Sequence, residues 1–113
     1  MASSIIIAPS SWQQITLINS WNNFGGAFQN LSVRRIDKNI AEINGVLTRT
    51  SSPIQNSSLG NVPIGLRPLT QISLFGQATG EISSRFDIAT NGDILWLSGS
   101  PTAYFILMAL YTI

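Results

Sequence analysis

The sequence predicts an all-β domain, an antiparallel β-barrel or Greek-key sandwich of about seven to eight strands. Isoleucine is the commonest residue, with 16 copies among 113 residues, and β-branched residues favour strands. Clusters of Gly, Asn, Pro and Ser recur at short intervals, which is the turn spacing of such folds. No window of useful length keeps the i, i+3, i+4, i+7 apolar stripe of an amphipathic helix.

The turn clusters divide the chain into strands within one domain. Strands are predicted at 12–18, 31–36, 40–48, 66–76, 81–89, 93–98 and 103–112, with a further strand near 4–8. Segment 49–65 is polar and carries two prolines, so it is expected to be a long surface loop between strands. Residues 1–11 are predicted to be a leading segment (a neck remnant or a tag junction) and 12–113 the barrel. From the abrupt start at Met-Ala-Ser-Ser we expect an excised domain, with a short natural protein as the alternative.

The composition excludes several classes of function. Histidine and cysteine are absent, so disulfides, thiolate or imidazole catalysis and His/Cys metal sites are excluded. Only 10% of residues are charged and the net charge is +1, which leaves no basic surface for nucleic acid. No apolar run reaches 18 residues, so no membrane-spanning helix is expected. We expect no metal and no cofactor.

Two hairpins are legible in the pattern. The first joins 31–36 to 40–43 through the turn formers Asp37, Lys38 and Asn39. The second is centred on Asn91-Gly92, a pair that favours a two-residue type I′ turn because both of its residues tolerate a positive φ.

The second hairpin assigns faces to its two strands. With Asn91-Gly92 as the loop, Asp87 pairs with Trp96 and Arg85 with Ser98, and paired residues point to the same side of a sheet. The polar face then carries Arg85, Asp87 and Trp96. The opposite face is apolar and predicted to be core, with Ile82, Phe86, Ile88, Leu95 and Leu97.

An aromatic ring beside a carboxylate and a guanidinium is typical of a sugar site. The ring packs on the apolar face of the sugar, while Asp87 and Arg85 hold hydroxyl groups through charge-assisted hydrogen bonds. Arginine also suits a phosphate. The alternative is a surface Arg85–Asp87 pair, with Trp96 buried under a loop or at a subunit contact. Trp12 and Trp21 are interpreted as structural anchors instead of binding platforms.

The last strand, 103–112, is apolar on both faces. One face must meet the core, and the other is predicted to be an oligomer interface formed by Tyr104, Ile106, Met108 and Leu110. The alternative is an internal, central strand of the sheet.

Three stretches resemble the C-terminal head domain of receptor-binding proteins at the tail tip of lactococcal-type siphophages. The first is Leu31-Ser-Val-Arg-Arg35 followed by Gly45-Val-Leu47. The second is Val62-Pro63, then Pro68 and Ser73-Leu-Phe-Gly76. The third is Asp87-Ile88 with Gly92 and Trp96. Together they span about 31–96, more than half of the chain.

The resemblance implies a homotrimeric β-barrel that binds host cell-wall saccharide, such as a phosphopolysaccharide or a glycerol-phosphate-like polymer. In such heads a His-x-Asp on one strand and a Trp on the next hold the saccharide, which maps to Arg85, Asp87 and Trp96, with Arg85 in place of the histidine. The implied location is the virion tail tip or baseplate, acting at the host surface. The implied partners are the saccharide, the chain itself and other baseplate proteins, with no nucleic acid and no membrane insertion.

Two other functions compete with this adhesin. One is a structural tail-fibre or baseplate module that binds only virion proteins. The other is a wall-degrading glycosidase, which would need two carboxylates about 5–9 Å apart. The five acidic residues offer no obvious pair, so the chain is expected not to be an enzyme: Asp37, Glu42, Glu81, Asp87 and Asp93.

Overall fold

A computed structural model of the chain describes residues 9–49, 53–78, 83–99 and 104–113. These residues form nine strands, and every strand pair is antiparallel. No helix occurs in the described ranges, so none of these residues belongs to a helix that could cross a membrane. The predicted antiparallel all-β fold is confirmed. The strands are β1 Gln13–Gln14, β2 Trp21–Asn23, β3 Ser32–Asp37, β4 Ile40–Arg49, β5 Ser57–Asn61, β6 Ile72–Ala78, β7 Ser83–Ile88, β8 Asp93–Ser98 and β9 Phe105–Thr112.

The strands are ordered β1-β3-β4-β9-β6-β7-β8-β5 along one sheet, and β2 also pairs with β4. The two ends of this path meet. The segment after β1 donates from the Ile18 amide to the Leu59 carbonyl of β5 (3.0 Å), and the Asn19 side chain donates to the Ser58 carbonyl (2.7 Å). These hydrogen bonds satisfy backbone groups that an open sheet edge would expose, and they curl the sheet around its core.

The central junction is the pairing of β4 with β9. Eight residue pairs, from Ile40–Thr112 to Leu47–Phe105, make it the longest ladder in the sheet. On its other side β9 pairs with β6 through two residue pairs in the described part of the chain. Gly76 of β6 makes this approach possible, because a Cβ there would overlap the Ile106 carbonyl oxygen. The last strand is therefore internal, as the sequence alternative held.

Alternate side chains of the long strands fill the interior. Trp21, Phe86 and Phe105 form its aromatic centre, with edge-to-face ring centroids 5.2–6.1 Å apart. Aliphatic residues of both halves of the sheet surround them, so one core spans the domain. The fully buried aliphatic residues include Leu31, Val33, Ile43, Leu47, Leu59, Val62, Ile88, Ile94 and Leu107.

Part of the predicted loop 49–65 is a strand, so that prediction is wrong. Within it, β5 pairs with β8 and buries Leu59 completely. Its other positions are serine, glycine and asparagine, and the turn preference of these residues concealed a strand that is stabilised by pairing with β8. The predicted strand 12–18 shortens to β1, the strand 66–76 begins only at Ile72, and β2 was not predicted. The strand near 4–8 lies outside the described residues.

The first predicted hairpin is confirmed, with a tighter loop. β3 and β4 pair from Ser32–Asn44 to Asp37–Ile40, which leaves Lys38 and Asn39 as the loop. A bulge between Arg35 and Asp37 adjusts the register.

The second hairpin forms, but its register differs from the prediction by one residue. The Gly92 amide donates to the Ala89 carbonyl and the Ala89 amide to the Asp93 carbonyl, both at 2.9 Å. The loop therefore has three residues, Thr90-Asn91-Gly92, with Gly92 alone at a positive φ of 93°. Asn91 supports this turn by accepting the Asp93 amide on its side-chain oxygen (3.0 Å).

This shift changes which residues of β8 face inward. Phe86 now pairs with Trp96, and Asp87 pairs with Leu95. Because a one-residue shift moves every side chain of a strand to the other face, Ile94 and Trp96 are in the core instead of Leu95 and Leu97. Phe86 and Ile88 are core residues as predicted, and Ile82 lies outside the described residues. A bulge between Arg85 and Phe86 restores the predicted Arg85–Ser98 pair.

A stability test follows from the close packing at Gly45 of β4. A Cβ at this position would lie 2.8 Å from the Leu31 backbone nitrogen, so Gly45→Ala must push two backbone segments apart. We expect the free energy of unfolding to fall by about 1–3 kcal/mol, the usual cost of overpacking. Asn44→Ala, at the adjacent half-exposed position, should change it by about 0.5 kcal/mol or less. Equal stability of the two variants in urea denaturation would contradict this packing.

Candidate functional site

Arg85 and Asp87 project from the outer side of β7. The intervening Phe86 and the following Ile88 are fully buried, and successive side chains of a strand point to opposite faces. The alternation of this strand alone therefore places Arg85 and Asp87 together on the outer side, as predicted. Their neighbours on β6 are set by the register, in which Ser73 pairs with Asp87 and Phe75 with Arg85.

Asp87 is held by three hydrogen bonds from two side chains. Arg85 donates two parallel hydrogen bonds to the carboxylate, from Nε to Oδ1 and from Nη2 to Oδ2, both at 3.2 Å. Gln71 donates from Nε2 to Oδ2 at 3.0 Å, and Nη2 of Arg85 also donates to the Ser73 hydroxyl at 3.2 Å. This two-pronged geometry fixes the guanidinium plane. We refer to these residues as the Arg85 cluster: Gln71, Ser73, Phe75, Arg85 and Asp87.

The two charged groups differ in their access to solvent. The Asp87 side chain is 3% exposed, whereas that of Arg85 is 43% exposed. Burial alone would raise the pKa of Asp87. The polar side chains of Gln71, Ser73 and Arg85 around the carboxylate, together with the Arg85 charge, outweigh burial and hold that pKa below its ordinary value of 3.8. Asp87 is thus ionised at neutral pH, and Arg85 is the member of the pair that is accessible from solvent.

Trp96 does not join this cluster, so its predicted place on the outer face is wrong. It is 7% exposed and lies among core residues, between its register partners Phe86 of β7 and Ser57 of β5. Its indole Nε1 is buried without a hydrogen-bond partner among the described residues. The alternative interpretation of the sequence was that Trp96 is buried under a loop or at a subunit contact. Trp96 is indeed buried, but in the hydrophobic core of the domain. The physical reason is the three-residue loop, which turns Trp96 inward.

Phe75 is the aromatic residue that does lie on the outer face beside Arg85. Phe75 is the register partner of Arg85 on β6, and its large apolar side chain is 75% exposed to solvent. Phe75 was not among the predicted site residues, because β8 was the only neighbour of β7 that the sequence assigned. The alternation along β6 could have indicated it, since Ser73 and Phe75 lie on the face opposite to that of the buried Leu74.

The cluster offers a positive group and an apolar ring at one surface. Among the described residues, Nη1 of Arg85 makes no hydrogen bond, so it can donate to an oxyanion or a hydroxyl oxygen. The exposed Phe75 ring supplies a plane against which the carbon face of a sugar can pack. The arrangement suits binding of a ligand that carries both an anionic group and an apolar face.

The predicted interface residues lie on one surface, the outer face of β9. Core contacts are made by Phe105, Leu107 and Tyr111, which leaves the intervening residues outside. Met108 and Leu110 are 63% and 62% exposed. This outer β9 face, defined by Tyr104, Ile106, Met108 and Leu110, continues on both sides into shallow depressions. One contains Phe75 and Gly76 of β6, and the other Phe24, Phe28 and Val46.

Comparisons with known proteins identify a structural neighbour. No protein-family model matches the sequence, and no curated protein matches it. The crystal structure of the receptor-binding protein (gp15) of Listeria phage PSA is similar, with a TM-score of 0.69 and 18% sequence identity. The match covers 95% of this chain and 67% of that chain. The barrel described here is therefore a fold that a phage receptor-binding protein uses.

The buried carboxylate of Asp87, paired with Arg85, predicts a specific acid sensitivity. A carboxyl whose pKa is lowered by folding adds stability above its unfolded pKa, and that stability is lost as pH falls through the folded pKa. We expect the free energy of unfolding to decline as the pH falls below the ordinary carboxyl pKa of 3.8 and through the lowered pKa of folded Asp87. Asp87→Asn should be less stable at neutral pH, and its difference from wild type should narrow over that range.

Urea titrations at several pH values measure this effect. Asp37→Asn, which removes an exposed carboxylate at the end of β3, is the control and should keep most of the wild-type decline. A parallel decline in wild type and Asp87→Asn would show that Asp87 is not the group responsible.

Proposed function

We propose that this chain is the receptor-binding head of a phage tail, which attaches the virion to saccharide on the host cell wall. The observation that carries the proposal is the shared fold with a phage receptor-binding protein over 95% of the chain. The three sequence stretches that resemble lactococcal-type heads support the same class. The chain acts by adhesion at the tail tip or baseplate and does not catalyse a reaction.

The Arg85 cluster is the proposed contact with an anionic saccharide. Arg85 is half exposed and fixed in orientation by Asp87, so little side-chain entropy is lost when it binds. A fixed positive charge favours a phosphate-linked or acidic sugar over a neutral one. Asp87 positions Arg85 and does not itself reach the ligand, and Trp96 contributes only through the core.

The outer β9 face is proposed to form the contact between three copies of the chain. Exposed, contiguous apolar surface of this kind marks protein interaction sites in soluble domains. Phe75 lies at the border of this face and also in the Arg85 cluster. Trimerisation would therefore place three saccharide sites near subunit borders, and their avidity would compensate for weak single sites.

The binding proposal is tested with glycerol phosphate and with host-wall phosphopolysaccharide. Arg85→Lys keeps the positive charge beside Asp87 but loses the two-pronged guanidinium geometry. We expect the Kd of this variant to rise about tenfold, because one charge-assisted hydrogen bond to the ligand is lost. Arg35→Lys is the matched control, since the Arg35 side chain is exposed and, among the described residues, donates only to the Gly65 carbonyl. Calorimetry with unchanged affinity in Arg85→Lys would reject the Arg85 cluster as the site.

The trimer is tested by sedimentation equilibrium at micromolar concentration. Wild type should show three times the 12.2 kDa chain mass. Met108→Glu should shift the mass to one chain, because it buries a charge in the proposed contact. Ile64→Glu is the control, because Ile64 is 85% exposed and is not part of the outer β9 face. A wild-type mass near one chain would reject the proposal.

A structural baseplate module is the second candidate function, favoured by the same outer β9 face. Its partner would be another virion protein. Absence of any glycan bound, together with co-purification of a tail protein that Met108→Glu abolishes, would favour this candidate over adhesion.

A further inference from the structure

A groove lies beside β1 and β3, which are separated in the strand order from β6 and β7, the strands of the Arg85 cluster. Its volume is about 440 Å³, within the range of about 300–1,000 Å³ that small-molecule sites occupy. We call it the Trp12 groove. Two aromatic rings, three side-chain amides, a hydroxyl and a glycine line it: Trp12, Gln14, Gly26, Phe28, Gln29, Asn30 and Ser32.

The side-chain amides of this groove have no hydrogen-bond partners among the described residues. None of the side-chain amides of Gln14, Gln29 and Asn30 makes a hydrogen bond in the described part of the chain. Other amides are used structurally, as when Asn23 accepts the Leu31 amide at 2.8 Å. Each free amide offers donors and an acceptor, which is the combination that hydroxyl groups require.

The aromatic rings flank these amides, and one is held in place. Phe28 is 54% exposed. The Arg34 guanidinium carbon lies 4.3 Å from the centroid of the Trp12 ring, and Arg34 is itself fixed by Glu42 at 2.9 Å. This stack holds the Trp12 ring in place, so the indole is oriented before a ligand arrives. Trp12 is half-buried and is one of the residues that line the groove.

No charged side chain is among the residues that line the Trp12 groove. Aromatic rings pack on the carbon faces of sugar rings, and amides bond their hydroxyls, so the chemistry fits a neutral polyhydroxylated ligand. We infer that the Trp12 groove binds a neutral saccharide, with Trp12 and Phe28 as packing surfaces and Gln14, Gln29 and Asn30 as hydroxyl ligands. This site is separate from the Arg85 cluster and does not depend on it.

Trp12 then has a second role, as a packing surface for the saccharide, beyond that of a structural anchor. Arg34 and Glu42 are then positioning residues, which act on the ligand only through the indole. A wall polysaccharide that alternates neutral sugars with phosphate groups would engage both sites, each through the part of the polymer that suits it.

The test titrates the 113-residue chain with neutral disaccharides (cellobiose, maltose and di-N-acetylchitobiose) and, separately, with glycerol phosphate. Wild type should bind at least one disaccharide, and Trp12→Ala should weaken that binding at least tenfold. Trp12→Phe, which keeps a ring, should recover part of it. Gln14→Ala should also weaken binding, whereas Gln55→Ala, an exposed amide outside the groove, should not. Thermal unfolding of each variant checks that the fold is kept.

Side-chain amide resonances in 15N-edited NMR spectra locate the ligand directly. Saturating disaccharide should shift the signals of Gln14, Gln29 and Asn30. Absence of disaccharide binding up to about 50 mM, or equal binding by wild type and Trp12→Ala, would overturn the inference. Glycerol phosphate binding that Trp12→Ala leaves intact, in a chain that ignores every disaccharide, would leave the proposed function standing and remove only the Trp12 groove.

Discussion

The pairing of β4 with β9 is the constraint on which the rest of the structure depends. Its eight residue pairs join two groups of strands, β1, β2 and β3 on one side and β5 to β8 on the other. β9 is an internal strand, and its two apolar faces differ in their exposure to solvent. Phe105 and Leu107 enter the core, and Met108 and Leu110 are left in solvent. The exposed apolar face is therefore a consequence of the sheet order and not of a misplaced strand.

The β7–β8 turn decides the chemistry of the Arg85 cluster. A three-residue loop with Gly92 at positive φ moves Trp96 into the core, while the alternation within β7 keeps Asp87 and Arg85 outside. The aromatic neighbour of Arg85 comes instead from β6, as Phe75. A buried carboxylate that orients a half-exposed guanidinium is a rigid cation, which suits recognition of an anion more than exchange of protons.

Polar and apolar surfaces divide the outside of the barrel into regions with distinct chemistry. The Arg85 cluster offers one fixed cation, the Trp12 groove offers neutral amides and rings, and the outer β9 face offers aliphatic side chains. Only 10% of the residues are charged, so hydroxyls and amides make up most of the polar side chains of this protein. Such a surface suits saccharides, whose hydroxyls need many weak, directional partners.

The sequence by itself determined the all-β class, the β3–β4 hairpin, the limits of β8 and the outward direction of Arg85 and Asp87. These follow from local alternation and turn chemistry, which are written in neighbouring residues. Only the tertiary structure decided the register of Trp96, the recruitment of β5 and the meeting of the sheet ends. Two registers of the Asn91-Gly92 turn satisfy local rules equally, and the choice between them depends on which side chains of β8 the distant strands can bury.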